Sequence, residues 1–255
     1  MMNVEVDMES PVPVYYIGIS GWTYDHWMGV FYPDSLPKTR WLSFYMEKFN
    51  SVEVNATFYR NFSDHTYMKW GKQASDAFCY TLKVPQLITH RKFLNDCQTE
   101  IIQFTHSASL LNDRLGMYLL QIAPSMPLDM GLLRETILAF GNPAKVAVEF
   151  RSVSWNQAAV RELLDTLGAV MVNVDSPRSR LADWTTGESA YLRLHGRRRW
   201  YDDDYTTGEL HGIADAARKL VSSGAKRVYI YFNNDTGGYA PRNSMLLKTM
   251  LINSI

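Results

Sequence analysis

The sequence predicts an α/β chain whose eight strands close into a barrel: a (β/α)8, TIM-barrel-like single domain. Three observations lead there. Eight strand-like runs are spread over 255 residues, most of them followed by a helix-like run, the count and order of such a barrel. No Gly-x-Gly-x-x-Gly follows the first run, which counts against an open dinucleotide-binding sheet. Several runs alternate apolar and polar residues, and in a chain whose helices cover the outside of the sheet the polar face is assigned to the barrel centre.

The runs are Val14–Ser20, Ser51–Thr57, Phe78–Val84, Gly116–Ile122, Lys145–Phe150, Ala169–Asp175, Ala190–His195 and Arg227–Asn233. Residues 1–13, with Glu5, Asp7 and Glu9, read as a loosely attached leader, and 14–255 as the barrel domain. Thr39 is placed to cap a helix carrying Trp41, Leu42, Tyr45 and Phe49. Ser154 with Gln157 and Thr206 with Glu209 have capping-box spacing, and Gly168 and Gly224 stand where helices end. Between Ser176 and Ser189 no helical pattern exists, so the sixth crossover is expected to be an irregular loop.

Lys plus Arg and Asp plus Glu are equal at 26 each, which removes any global electrostatic case for nucleic acid or an anionic membrane. Two isolated cysteines, Cys79 and Cys97, and no run near the ~18 apolar residues of a membrane span point to a cytoplasmic protein.

Alternation places Glu53, Asn55 and Thr57 on one face of the second run, Ala147, Glu149 and Arg151 on one face of the fifth, Met171, Asn173 and Asp175 on the sixth, and Arg193 with His195 on the seventh. All are expected to face the lumen. Active sites of such barrels lie at the C-terminal strand ends, where Trp22, Lys83, Gln121, Asn233, Asn234 and Asp235 also fall. Burying so many charges costs several kcal/mol each unless they pair or serve a function. A structural salt-bridge network is one account. The preferred one is an enzyme in which Glu149, Asp175 or His195 moves a proton on an anionic, phosphate-bearing sugar or nucleotide-like substrate. Arg151, Arg193 and Arg197 hold the anion in that account, and Arg193→Ala is expected to abolish binding while sparing the fold. A divalent metal on Glu149, Asp175 and His195, for a hydrolase or isomerase, ranks below the metal-free reading, since no helical His-Glu-x-x-His is present.

Arg178 to Arg199 carries six Arg against Asp183 and Glu188, and Arg suits a bidentate grip on phosphate or carboxylate. With Trp200 this loop defines the alternative, a nucleic-acid-binding module; the opposing possibility is neutralisation by Asp202–Asp204. Among the loop aromatics, Trp22 and Trp200 are selected as ligand-facing.

Ile17-Gly18-Ile19-Ser20-Gly21-Trp22, Glu53-Val54-Asn55-Ala56-Thr57-Phe58-Tyr59-Arg60, Lys83-Val84-Pro85, Thr89-His90, Ala147-Val148-Glu149-Phe150-Arg151, Asp175-Ser176-Pro177, Arg193-Leu194-His195-Gly196-Arg197 and Tyr231-Phe232-Asn233-Asn234-Asp235 together resemble the YecE-like family, from about Tyr16 to Leu251. The resemblance implies a TIM-barrel-like fold and no established reaction. Ser152-Val153 stand where the family often has His-Pro, so a histidine role there is not carried over. The substrate and the oligomeric state are not legible at this level.

Overall fold

The computed structural model describes residues 14–252; the leader expected at 1–13 lies outside them. Strands β1 (Val14–Ile19), β2 (Ser51–Val54), β3 (Cys79–Lys83), β4 (Leu115–Gln121), β5 (Val146–Glu149), β6 (Val170–Asp175), β7 (Ser189–Leu194) and β8 (Arg227–Phe232) run parallel. Their order, β1-β8-β7-β6-β5-β4-β3-β2, winds one sheet almost fully around. The helices are α1 (Trp41–Lys48), α2 (Ala56–Tyr59), α3 (Asp64–Gln73), α4 (Gln98–Ser109), α5 (Met130–Ala139), α6 (Ala158–Leu167), α7 (Thr207–Ser222) and α8 (Tyr239–Ile252).

The apolar faces of strands and helices meet in one outer layer that includes Ile17, Val52, Leu82, Leu120, Val148, Leu192 and Ile230. A separate cluster fills the lumen: Cys79, Met117, Leu119, Ala147, Val170, Val172, Tyr191, Tyr229 and Tyr231. The sixth crossover is an irregular loop, as expected. The α7 capping box forms, with Thr206 Oγ1 accepting from the Glu209 amide and Glu209 accepting from the Thr206 amide. Gly168 ends α6 at φ 71°, a left-handed value that favours glycine.

Two caps differ. Ser152, not Ser154, accepts the local amide bond, in a single turn before α6, which itself begins only at Ala158. Thr39 lies inside a short turn, Lys38–Arg40, that runs directly into α1 and leaves no extended residue to act as a cap.

No ladder joins β1 to β2 among the described residues. Side chains bridge the seam instead. The Asn50 carboxamide accepts from the Ile17 amide (2.8 Å) and donates to the Tyr15 carbonyl (2.8 Å), as a peptide unit would. The Tyr45 hydroxyl accepts from the Ile19 amide (2.8 Å) and donates to the Ser51 carbonyl (2.9 Å). The strands close up here because residue 18 is glycine: a Cβ on Gly18 would lie 2.0 Å from the Ser51 carbonyl oxygen.

Candidate functional site

The polar inward side chains gather in two tiers. The lower tier is neutral. The Tyr231 hydroxyl bonds Ser51 and Thr81, the latter at 2.8 Å, and the Tyr16 and Tyr229 rings stack beside it. One step toward the strand C-termini stand the ions. Arg193 donates from Nε and Nη2 to both oxygens of Glu53 (3.0 and 2.7 Å) and from Nη1 to Glu149 (2.5 Å). Ser20 and Tyr191 donate to Glu53 at 2.6 and 2.5 Å. Glu149 also accepts from Gln121 (3.1 Å) and pairs with Arg151. Burial alone would raise the Glu149 pKa, but Arg193 and Arg151 outweigh it and hold the carboxyl well below its usual range. Glu149 is therefore an ionised strut with its lone pairs committed.

The mouth above is less fully paired. His195, buried at the end of β7, faces Arg151 Nη2 across Nε2 (3.5 Å) and the Asn233 amide across Nδ1 (3.2 Å). Burial and Arg193 depress its pKa well below 6.5, so it is neutral. A guanidinium can only donate. Both neighbours present donors, Arg151 Nη2 to Nε2 and Asn233 Nδ2 to Nδ1, so either ring nitrogen can carry the lone pair. The Trp200 ring lies 5.4 Å from the imidazole and 5.6 Å from the Arg151 guanidinium.

Lys83 ends β3 pointing inward, 9% exposed, and its ammonium lies 4.3 Å from the Phe58 ring centre. Among the described residues no carboxylate lies within ion-pairing distance of it. Burial and Arg193 bring its pKa down to about 8. His90 packs edge-on against the same Phe58 ring (5.0 Å), from a wide-pitch turn at Leu87–Arg91. Its pKa too is lowered, by burial and by Lys83 and Arg151. Asn55 Oδ1, at the end of β2, is buried with no hydrogen-bond partner.

The lumen thus brings together Glu149, Arg151, Arg193, His195, Lys83 and Asn233. Five expected residues lie elsewhere. The inward face of β6 is Val170, Val172 and Val174, so Asp175 points outward, where it pairs with Arg197 (2.8 Å) beside Tyr205. Asn173, on that same outer face, exchanges hydrogen bonds with the Trp184 main chain (2.9 and 3.3 Å), tying down the helix-free crossover. Asn234 is buried in a brace to the Asp203 carbonyl and Asn243. Asp235 offers its carbonyl to His26 and Trp27. Trp22 packs edge-on against Trp70.

The Arg-rich loop is balanced internally. Arg198 pairs with Asp203 and Glu209, and Arg199 with Asp202. Arg193 likewise is spent on two carboxylates, so it is a keystone of the fold and not a free anion grip. The trio Glu149, Asp175 and His195 does not converge, and among the described residues no three His, Cys, Asp or Glu side chains are grouped to hold a metal ion. Glu53 already stood on the inward face and Gln121 at a strand's C-terminal end; Tyr191 shares parity with Arg193 and could have been found by the same alternation. His90 lies in a turn that strand alternation does not reach.

A model of the family described as "Protein of unknown function DUF72" matches residues 16–254. The UPF0759 protein YunF of Bacillus subtilis (strain 168) is 25% identical over 92% of this chain and 94% of its own length. The UPF0759 protein YecE of Escherichia coli (strain K12) is 30% identical over 42% of this chain, a match that spans only 37% of YecE. The crystal structure of a DUF72 family protein from Thermotoga maritima MSB8 superposes with a TM-score of 0.82 at 30% identity, covering 94% of this chain and 99% of that one. No helix among the described residues is long and apolar enough to cross a membrane.

Proposed function

The chain belongs to the DUF72 family, whose function is unknown, and from that premise we propose that it is an enzyme acting on a small anionic substrate, carboxylate- or phosphate-bearing, at the C-terminal mouth of the barrel. One observation carries the reading: Lys83 is a buried cation left without a carboxylate. Glu53 and Glu149 are matched by Arg193 and Arg151, so the mouth keeps one positive charge in excess. An isolated buried charge is costly, and an anionic ligand would offset it. Asn233 and Trp200, both against His195, supply polar and aromatic contacts around the same opening.

The proton-moving role goes to His195. Glu149 is locked by its cations, and Asp175 lies outside the lumen. The His195 pKa is depressed partly by Arg193, Arg151 and Lys83. An anion seated among those cations would offset them and raise it toward the ordinary histidine range, so the substrate itself would strengthen the base.

The test is thermal melting with inorganic phosphate, sulfate and a panel of sugar phosphates and keto acids. A ligand bound only by the folded state raises the melting temperature. The expected result is a shift with at least one anion that disappears in Lys83→Met. No shift with any of them, or the same shift in the variant, would reject the reading. The nucleic-acid alternative is weakened by the acidic partners that Arg197, Arg198 and Arg199 already have; it requires a steep fall of affinity with salt.

A further inference from the structure

We propose that Lys83 is a nucleophilic amine that condenses with an aldehyde or ketone carbonyl of the bound anion to form an imine at the end of β3. The inference rests on the anionic-substrate reading and narrows its substrate class to small carbonyl compounds bearing a carboxylate or phosphate.

The position favours covalent chemistry over simple charge. A lysine serving as a structural cation is met by a carboxylate, and in this lumen both candidates are claimed by arginines. Lys83 instead leans on an aromatic ring, and its own carbonyl is clamped by the Thr57 hydroxyl at 2.6 Å, which fixes the base of the side chain. A lysine desolvated next to another cation is the environment that frees an amine to act as a nucleophile. With its pKa near 8, roughly a tenth of the side chain is neutral at pH 7, on the order of a hundredfold more than for an ordinary lysine. Arg151 is 20% exposed, and although its charge is matched by Glu149 its guanidinium can still donate to the substrate's anionic group, whose charge offsets that of Lys83.

The step balances. The neutral nitrogen's lone pair attacks the carbonyl carbon while the C=O π pair moves to oxygen, which takes up a proton. The nitrogen sheds a proton, and the hydroxyl leaves as water after gaining a second one, leaving C=N. Overall, ammonium plus carbonyl gives iminium plus water, with the positive charge retained on nitrogen. Nothing is oxidised or reduced, and no co-reactant is needed.

The experiment is reductive trapping of the full chain: glyoxylate or pyruvate with sodium borohydride, followed by peptide mass spectrometry. The expected result is a saturable adduct on the Lys83 peptide, forming at least tenfold faster than on the exposed Lys69 and Lys72, with a rate that rises through pH 8. Inorganic phosphate should protect it, and Lys83→Arg should lose the adduct. Labelling of Lys83 no faster than of Lys69 and Lys72 overturns the proposal. Stabilisation by phosphate with no adduct would sink the imine and leave the anion site standing. An adduct that phosphate neither competes with nor slows would keep the reactive amine and reject the anion site.

Discussion

The two tiers of the lumen solve one problem in opposite ways. Below, Ser51, Thr81 and Tyr231 satisfy one another with neutral hydroxyls among Met117, Leu119 and the valines of β6. Above, Glu53, Arg193 and Glu149 do so with full charges, at almost no exposure. The neutral tier is complete, and the charged tier is not, because its cations exceed its carboxylates by Lys83. Polarity inside a barrel is thus no marker of a site in itself; an unbalanced remainder is.

That contrast can be broken by substitution. The largest effect is expected for Arg193→Met, which strands Glu53 and Glu149 together in the lumen. Chemical denaturation should show a loss of about 3–5 kcal/mol, the scale for breaking a buried ion pair from one side. A loss under 1 kcal/mol would mean the charged tier is not a keystone. Next comes Glu149→Gln, read through pH. The folded pKa of Glu149 lies below its ordinary value of 4.5, so its ionisation contributes stability that is fully present above pH 4.5 and is lost as pH falls below it. His195, depressed below 6.5, adds a loss of the same sign that sets in as pH falls through 6.5. Glu149→Gln should therefore flatten the acid limb below pH 4.5 and leave the decline that starts above it. An unchanged limb in the variant would remove Glu149 from the account. The smallest effect is expected for Tyr231→Phe, which gives up two neutral hydrogen bonds, about 1–2 kcal/mol, with no change in anion-induced stabilisation. A cost matching that of Arg193→Met would erase the distinction between the tiers.

Strand number, order and the missing sixth helix were legible because hydrophobic periodicity and turn residues are local signals. The inward faces of β2, β5 and β7 were legible too, since the residues beside Glu53, Glu149 and Arg193 are apolar and must go outward. β6 read the wrong way round for a physical reason. With no helix after it, its outer face is covered by a loop whose main chain needs partners. Asn173 meets Trp184, and Thr186 takes the Met171 amide and reaches the Ala169 carbonyl. Both the loop and the polar face were visible in the sequence; the link between them is that the one requires the other. The charge balance of Arg197–Arg199 depended on a turn back to Asp202–Asp204, which net counts over a window cannot resolve. Lys83 itself stood out only as one cation among several, since its isolation is a property of what Arg193 reaches across the barrel.

At the β1–β2 seam the cylinder is completed by the carboxamide of Asn50 and the phenol of Tyr45. A main-chain ladder is common property of any sequence that adopts the strand, and point mutation cannot delete it. A seam written in side chains can be edited one codon at a time. In this protein the difference between a closed cylinder and a rolled-up sheet is therefore a heritable trait carried at Asn50, Tyr45 and Gly18, open to variation while the other seven joints are not.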